Sequence, residues 1–228
     1  MIVTIDGPAA SGKSTTAKLV AKKLGISYLD TGGMYRCITF SFMKNNISYN
    51  EISLAKSHLK KLNLSIREKN DRQHFYINGI DITNEIRSNE VSKNVSKFSS
   101  LYFVRDKMVE TQRKYAKEKS IIVEGRDIGT VVFPKADFKF FLFADDKVRA
   151  KRRQKDLIKN GENQSLEKLI DEIRLRDKLD SERENAPLVK AKDAIVIDTS
   201  IKTIDEQVDF IIDAIKSNMK GNKNEWKF

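Results

Sequence analysis

Apolar and polar residues along this chain follow two different periods, and the places where the period changes mark its parts. "MIVTID" opens on a β-rich apolar run. After a glycine-rich turn, Ala17, Val20, Ala21 and Leu24 recur at the spacing of one helix face, which predicts a helix over 13–24 closed by Gly25. "ISYLD" is expected as a second short strand finishing at Asp30, and "TGGMYRCITFSFMKNN" as a helix over about 33–44. Strand, helix, strand and helix in succession predict a parallel sheet with right-handed crossovers.

The middle switches to period two. "LNLSIREK" and "HFYINGIDI" predict small antiparallel strands around a turn at "EKNDRQ", followed by helices at about 88–99 and 101–117. Buried-strand character returns at Ser120–Glu124, at 138–144 and at 194–198, with helices over about 146–160, 165–184 and 203–217. The pattern predicts an α/β fold. Its core, 1–44, 118–145 and 185–217, holds a five-stranded parallel sheet with helices on both faces. Residues 45–117 form a small α+β insertion, 146–184 a helical region, and 218–228 a polar tail expected to fray, with Trp226 in it given no role.

Composition narrows the class. With 228 residues, 39% hydrophobic and 33% charged, the chain suits one globular domain carrying an insertion. No apolar run approaches the roughly 20 residues of a bilayer span, and "MIVTID" lacks a signal-peptide layout, so a cytoplasmic protein is expected. The single cysteine, Cys37, cannot close an internal disulfide and is expected as a buried small residue in a reducing compartment. A net charge of +11 points to an anionic partner, nucleic acid or phosphorylated small molecules. Most of the 30 lysines fall on solvated faces, whereas the 13 arginines bunch in the second half and carry the sharper signal.

Gly7, Gly12, Lys13 and Ser14 match G-x-x-x-x-G-K-[ST] between a predicted strand and a predicted helix, where a phosphate loop belongs. The backbone N–H groups of Gly7, Pro8, Ala9, Ala10, Ser11 and Gly12, apart from the proline, can turn toward phosphate oxygens, helped by the helix N-terminus. Lys13 is expected to reach the β- and γ-phosphates of a nucleoside triphosphate, Thr15 an α-phosphate oxygen, and the Ser14 hydroxyl a Mg²⁺ ion. A GTPase would need N-K-x-D after a late strand, and "NKNE" lies in the polar tail. A motor ATPase would need an acidic pair closing an apolar strand, and in "IIVEGRD" the acids are separated. A compact kinase remains.

"LDTGGMYR" and "EGRDIG" each place an arginine past a strand end, where open α/β sheets bind ligands. Arg176, Asp180 and Arg183 are spaced to share a helix face, as are Arg149, Arg152 and Arg153. With "KNGENQS" between them, these helices are expected to form a lid over phosphates, since a guanidinium grips two phosphate oxygens.

From "IDGPAASGKST" through "LDTGGMYR", "NEIRSNEVS", "VEGRDIGTVVFPKADFKFFL" and "RLRDKLDSERENAPLVKAKDAIVIDT", the sequence resembles the bacterial cytidylate kinases of the nucleoside monophosphate kinase superfamily. The resemblance implies a P-loop core, a lid and a CMP-binding insertion, and transfer of the γ-phosphoryl of ATP-Mg²⁺ to CMP or dCMP. It implies Ser96, Arg105 and Asp127 on cytosine and Arg176 and Asp180 on the ribose. Arg36, Arg126 and Arg183 would hold the acceptor phosphate, with Thr31 and Tyr35 lining the pocket. Arg149, Arg152 and Arg153 match the lid, with Arg149 expected on ATP, and Lys13, Arg126, Arg152, Arg153 and Arg183 would be catalytic. Thr31 and "GKST" stand where many members have Ser and "GKGT". A monomer with no nucleic-acid or membrane partner is expected. The alternatives are a kinase for another monophosphate, a small sugar or an acid, and a basic P-loop ATPase that binds nucleic acid.

No general base is required, because the CMP phosphate, with its second pKa near ~6, is already mostly a dianion at neutral pH. His58 and His74 fall in the insertion and are expected at the surface, and Asp30 or Asp127 are candidates to order Mg²⁺-bound water. Catalysis would be alignment and charge stabilisation under a lid that excludes water.

Overall fold

The first four elements follow the opening pattern: β1 (Ile2–Asp6), α1 (Lys13–Leu24), β2 (Ser27–Asp30) and α2 (Thr31–Lys44). Next come α3 (Ile52–Lys61), β3 (Leu64–Lys69), β4 (Arg72–Ile77), β5 (Ile80–Asp81), α4 (Asn89–Ser99) and α5 (Tyr102–Ala116). The chain then runs through β6 (Ile121–Gly125), β7 (Phe138–Phe143), α6 (Asp146–Lys159), α7 (Leu166–Glu182), β8 (Ile195–Asp198) and α8 (Ile204–Gly221). The computed structural model describes residues 1–69, 72–159 and 161–221. Two units result: Met1–Leu29 with Ala116–Phe228, and Asp30–Tyr115.

The first unit holds a five-stranded sheet in the order β2-β6-β1-β7-β8, with parallel ladders β1–β6, β1–β7 and β7–β8. Val3, Ile5, Ile122, Phe140 and Leu142 are essentially inaccessible, as strands covered on both faces must be. α1 and α8 pack on this core through Ala17, Val20, Val208 and Ile211. α6 and α7 share a separate small core of Ala150, Leu157, Leu169 and Ile173. Because the strands are parallel, β1 and β6 deliver Asp6 and Glu124 to one edge of the sheet, beside the phosphate loop.

The second unit carries the antiparallel ribbon β3-β4-β5 with α2 to α5. The centre of β4 supplies Phe75, fully buried, and α2 approaches it so closely that a Cβ on Gly33 would stand 2.3 Å from Phe75 Cζ. Tyr35, Cys37, Ile38 and Phe42 of α2 are buried as well.

Three features differ from the sequence expectation. α3 was not anticipated, because only Ala55 and Leu59 of "ISLAKSHLKK" are buried and the charged positions hide so short a stripe. Ile128–Val132 forms a single wide helical turn where a loop was expected. α8 runs on through 218–221, which the pattern assigned to the tail, and no helix breaker precedes Gly221. The rest of the tail, with "NKNE" and Trp226, lies outside the described residues, as do Asn70 and Asp71 of the turn and Asn160 of the α6–α7 connection.

Candidate active site

In the first unit, β1 runs straight into the loop, and Gly7 makes the entry possible. Its φ of 147° is left-handed, and a Cβ there would lie 1.9 Å from Leu142 O of β7. The loop carbonyls are taken by protein donors: Pro8 O by Lys13 Nζ at 2.6 Å, Ala9 O by Arg149 at 3.2 Å and Ser11 O by Thr199 Oγ1 at 2.9 Å. Gly12 leads into α1, which adds the unpaired N–H groups of a helix start. Burial, and then the neighbouring Arg126, push the Lys13 pKa down to about 7. Phosphate oxygens beside the ammonium would raise it again. Ser14 and Thr15 are exposed at the end of the loop.

Ser14 Oγ donates to Glu124 Oε1 at 2.5 Å, and Tyr28 OH reaches the same oxygen at 3.0 Å. Sequence reasoning missed Glu124. Its signal was the acid closing the buried strand "IIVEG", passed over in the search for an adjacent acidic pair.

Beyond β6, Arg126 Nε donates to Asp180 Oδ2 at 3.0 Å and Arg183 stands 3.4 Å from Asp127 Oδ1. Asp127 and Asp180 are both buried. Burial alone would raise the Asp180 pKa, yet Arg126, Arg176 and Arg183 together hold it below the ordinary carboxylate range. The expected single helix face holds for Arg176 and Asp180 only. Arg183 lies just past α7 in extended backbone (ψ 139°), and reaches Asp127 because the helix has ended.

The three arginines expected in a lid have unlike surroundings. Arg149 is buried and braced by Ala9 O, Ala144 O, Asp146 and Asp177, tying α6 to the loop and to α7. Arg152 donates to Thr199 O at 2.5 Å, and its Nη1 lies 3.8 Å from where a Cβ on Gly12 would sit. Arg153 is half-buried on α6.

In the second unit, Asp30 caps α2: Oδ1 accepts the Gly33 N–H at 2.7 Å and Oδ2 accepts from Arg36 at 3.0 Å. Arg87 stands 3.9 Å from that second oxygen and was not anticipated. Thr31, Tyr35 and Ser96 are buried. The Arg105 guanidinium lies 5.3 Å from the Tyr35 ring centre and donates to Ser99 O at 3.2 Å, so Tyr35 and Arg105 form one pair and Arg36 and Asp30 another. Cys37 is buried and its thiol pKa is pushed up by burial, against thiolate chemistry. His58 and His74, expected at the surface, are half-buried and hydrogen-bonded to Ser41 and Asp81.

Among the described residues no helix is long and apolar enough to cross a membrane, and no group of three or more His, Cys, Asp or Glu could hold a metal. Residues 3–217 match the family model described as cytidylate kinase. The chain is 46% identical over 215 residues to a cytidylate kinase of Clostridioides difficile, covering 94% of this chain and 98% of that one. It is 47% identical over 218 residues to that of Thermosipho melanesiensis, covering 96% and 98%. Among solved structures, a Sinorhizobium meliloti gluconokinase superposes with a TM-score of 0.51 at 11% identity over 99% and 97% of the two chains, a likeness of fold alone.

Proposed function

The chain belongs to the cytidylate kinase family, and on that premise we propose that it transfers the γ-phosphoryl of ATP to CMP or dCMP, giving CDP or dCDP and ADP. The observation that carries the chemistry is the cationic set in the first unit. Lys13 sits in a phosphate loop, Arg126 and Arg183 are held on the buried carboxylates Asp180 and Asp127, and no histidine lies among them. Donor and acceptor are both anionic, so repulsion is the main barrier. A dianionic monoester (second pKa ~6) needs no base, and fixed cations supply the stabilisation.

Residues 7–15 take the phosphates of ATP. By the family resemblance, Arg126 and Arg183 of the first unit and Arg36 of the second are assigned to the acceptor phosphate, Asp127 of the first and Ser96 and Arg105 of the second to the cytosine, Asp180 and Arg176 to the sugar, and Thr31 and Tyr35 to the bound CMP. Arg152, beside Gly12, is the lid arginine best placed for ATP, whereas the partners of Arg149 make it a brace. Closure of α6 and α7 over bound nucleotide would keep water from the phosphoryl group. The hard oxygens of Ser14 and Glu124 fit Mg²⁺, which a site with few carboxylates holds mainly through substrate phosphates and water. Bound with ATP, the ion neutralises charge on the β- and γ-phosphate oxygens. A reducing cytoplasm is the setting that one buried cysteine suits, and the protein is proposed to act there as a monomer.

The test is a coupled assay of ATP with CMP, dCMP, UMP and AMP in turn. Turnover greatest with CMP or dCMP is expected. Salt-sensitive nucleic-acid binding with no monophosphate phosphorylated would replace this function by a nucleic-acid ATPase.

A further inference from the structure

Asp6 is a buried ionisable group to which nucleotide binding gives no task. It closes β1 immediately before Gly7 and is 4% exposed. Its two oxygens are used separately: Oδ1 accepts the Ile128 N–H at 2.9 Å, and Oδ2 accepts the Gly129 N–H at 2.7 Å. Both donors belong to the turn that follows Arg126 and Asp127. That turn rests directly on the end of β1, since a Cβ on Gly129 would stand 2.9 Å from Thr4 Oγ1 and 3.3 Å from Asp6 Oδ2. Asp127 O in turn accepts the Val131 N–H at 2.9 Å, so the backbone is fixed on both sides of Ile128 and Gly129.

We propose that Asp6 is a positioning residue for the acceptor: its ionised carboxylate clamps the turn at 127–129 and thereby aims Arg126 and Asp127. This rests on the CMP kinase function proposed above. Two N–H groups facing two oxygens suit a carboxylate best. An amide would set its hydrogens against one of the N–H groups and lose that bond, and a protonated acid keeps only a weaker acceptor there. The charged groups around Asp6 are Lys13 at the start of α1, Asp127 beyond β6, and Lys139 on β7, whose Nζ is held by Pro134 O and Asp193.

Burial raises the Asp6 pKa to about 6, opposed by the two N–H bonds; Asp127 raises it further and Lys13 lowers it. A raised carboxylate pKa means that the stability contributed by the neutral form is complete below 3.8 and lost as pH rises through about 6. The ionised group is thus held at a cost to folding stability, so its loss is expected to show in catalysis rather than in the melting temperature.

Asp6→Asn carries the neutral shape at every pH. In the full-length enzyme at about pH 8, the variant should keep wild-type ATP affinity within about twofold and a melting temperature no lower than wild type. Its kcat/KM for CMP should fall about 10- to 100-fold. The wild-type to variant ratio of kcat/KM should shrink toward one as pH falls through about 6. Taking the ratio removes the titration of the CMP phosphate, common to both proteins. A ratio constant with pH, or a loss that follows a lower melting temperature, overturns the proposal. If the variant does not fold, the wild-type Ile128 and Gly129 amide resonances decide: they should shift together with a midpoint near 6, and unmoved resonances overturn it. A wild-type enzyme that phosphorylates no CMP would overturn the function itself instead.

Discussion

Asp180 should have two separable duties, and substitution can weigh them. The carboxylate binds Arg126 at 3.0 Å, with the two side chains 5% and 19% exposed. Removing one member of a buried pair leaves the other charge uncompensated, at a cost of about 3–5 kcal/mol. Asp180→Asn keeps an acceptor but not the charge, so about 3 kcal/mol is expected, a fall of about 6–12 °C in melting temperature for a chain of this size. The sign follows from the depressed pKa: this stability is present above the ordinary carboxylate value of 3.8 and lost as pH falls through the lower folded one. The gap between wild type and variant should therefore narrow in acid. For catalysis, a mis-aimed Arg126 weakens a charge-assisted hydrogen bond worth about 1.5–3 kcal/mol, or about 10- to 100-fold, whichever sugar is bound. A hydrogen bond from a ribose hydroxyl to Asp180 would pass from charge-assisted to neutral in the variant, a loss of only about 1 kcal/mol, about fivefold, and only where that hydroxyl exists. Steady-state kcat/KM for CMP and dCMP should then show a large common loss and a smaller difference between the substrates. Unchanged kcat/KM for dCMP would refute the Arg126 duty, and identical losses on both would remove Asp180 from the sugar.

Lys13→Met should lower kcat by at least about 10³-fold while leaving the melting temperature at pH 6 unchanged or higher, because the buried ammonium is held against a pKa depressed to about 7. An active Lys13→Met enzyme would contradict its place on the phosphates. Gly33→Ala should cost about 1–3 kcal/mol through overpacking, since its Cβ would meet the fully buried Phe75 ring, and calorimetry against Gly32→Ala checks it. The nearest atoms to a Gly32 Cβ, 3.2 Å away, include the end of the Arg36 side chain, which can move, so a smaller change is expected there.

The core elements were readable because each has a strong local cause. α1 starts and stops as its apolar stripe and Gly25 require, and β6 and β7 are apolar runs too short for helices. What the pattern could not supply were contacts set by tertiary packing. Arg183 was placed on a helix face by spacing, yet it reaches Asp127 from just beyond the helix end. Glu124 gained its place only when β6 was laid beside β1 and brought within reach of Ser14. Arg149 and Arg152, three residues apart on one helix, have different partners: one meets Asp146 and Asp177 and the other meets Thr199. Period reports which face is buried but not what it is buried against.

The same limit explains why charge counting anticipated the chemistry only in outline. An excess of cations could have served any polyanion, and most of the lysines report solubility. The informative feature is that the buried cations around the end of β6 and the phosphate loop are not free charges. Arg126 is held by Asp180, Arg183 stands on Asp127, and Lys13 is folded onto Pro8 O with a depressed pKa. Each is kept in place by a partner within the protein and at low exposure to solvent. Pre-set cations of this kind need little reorganisation when charge moves along the reacting phosphoryl group, which makes them more effective than the same number of mobile surface lysines.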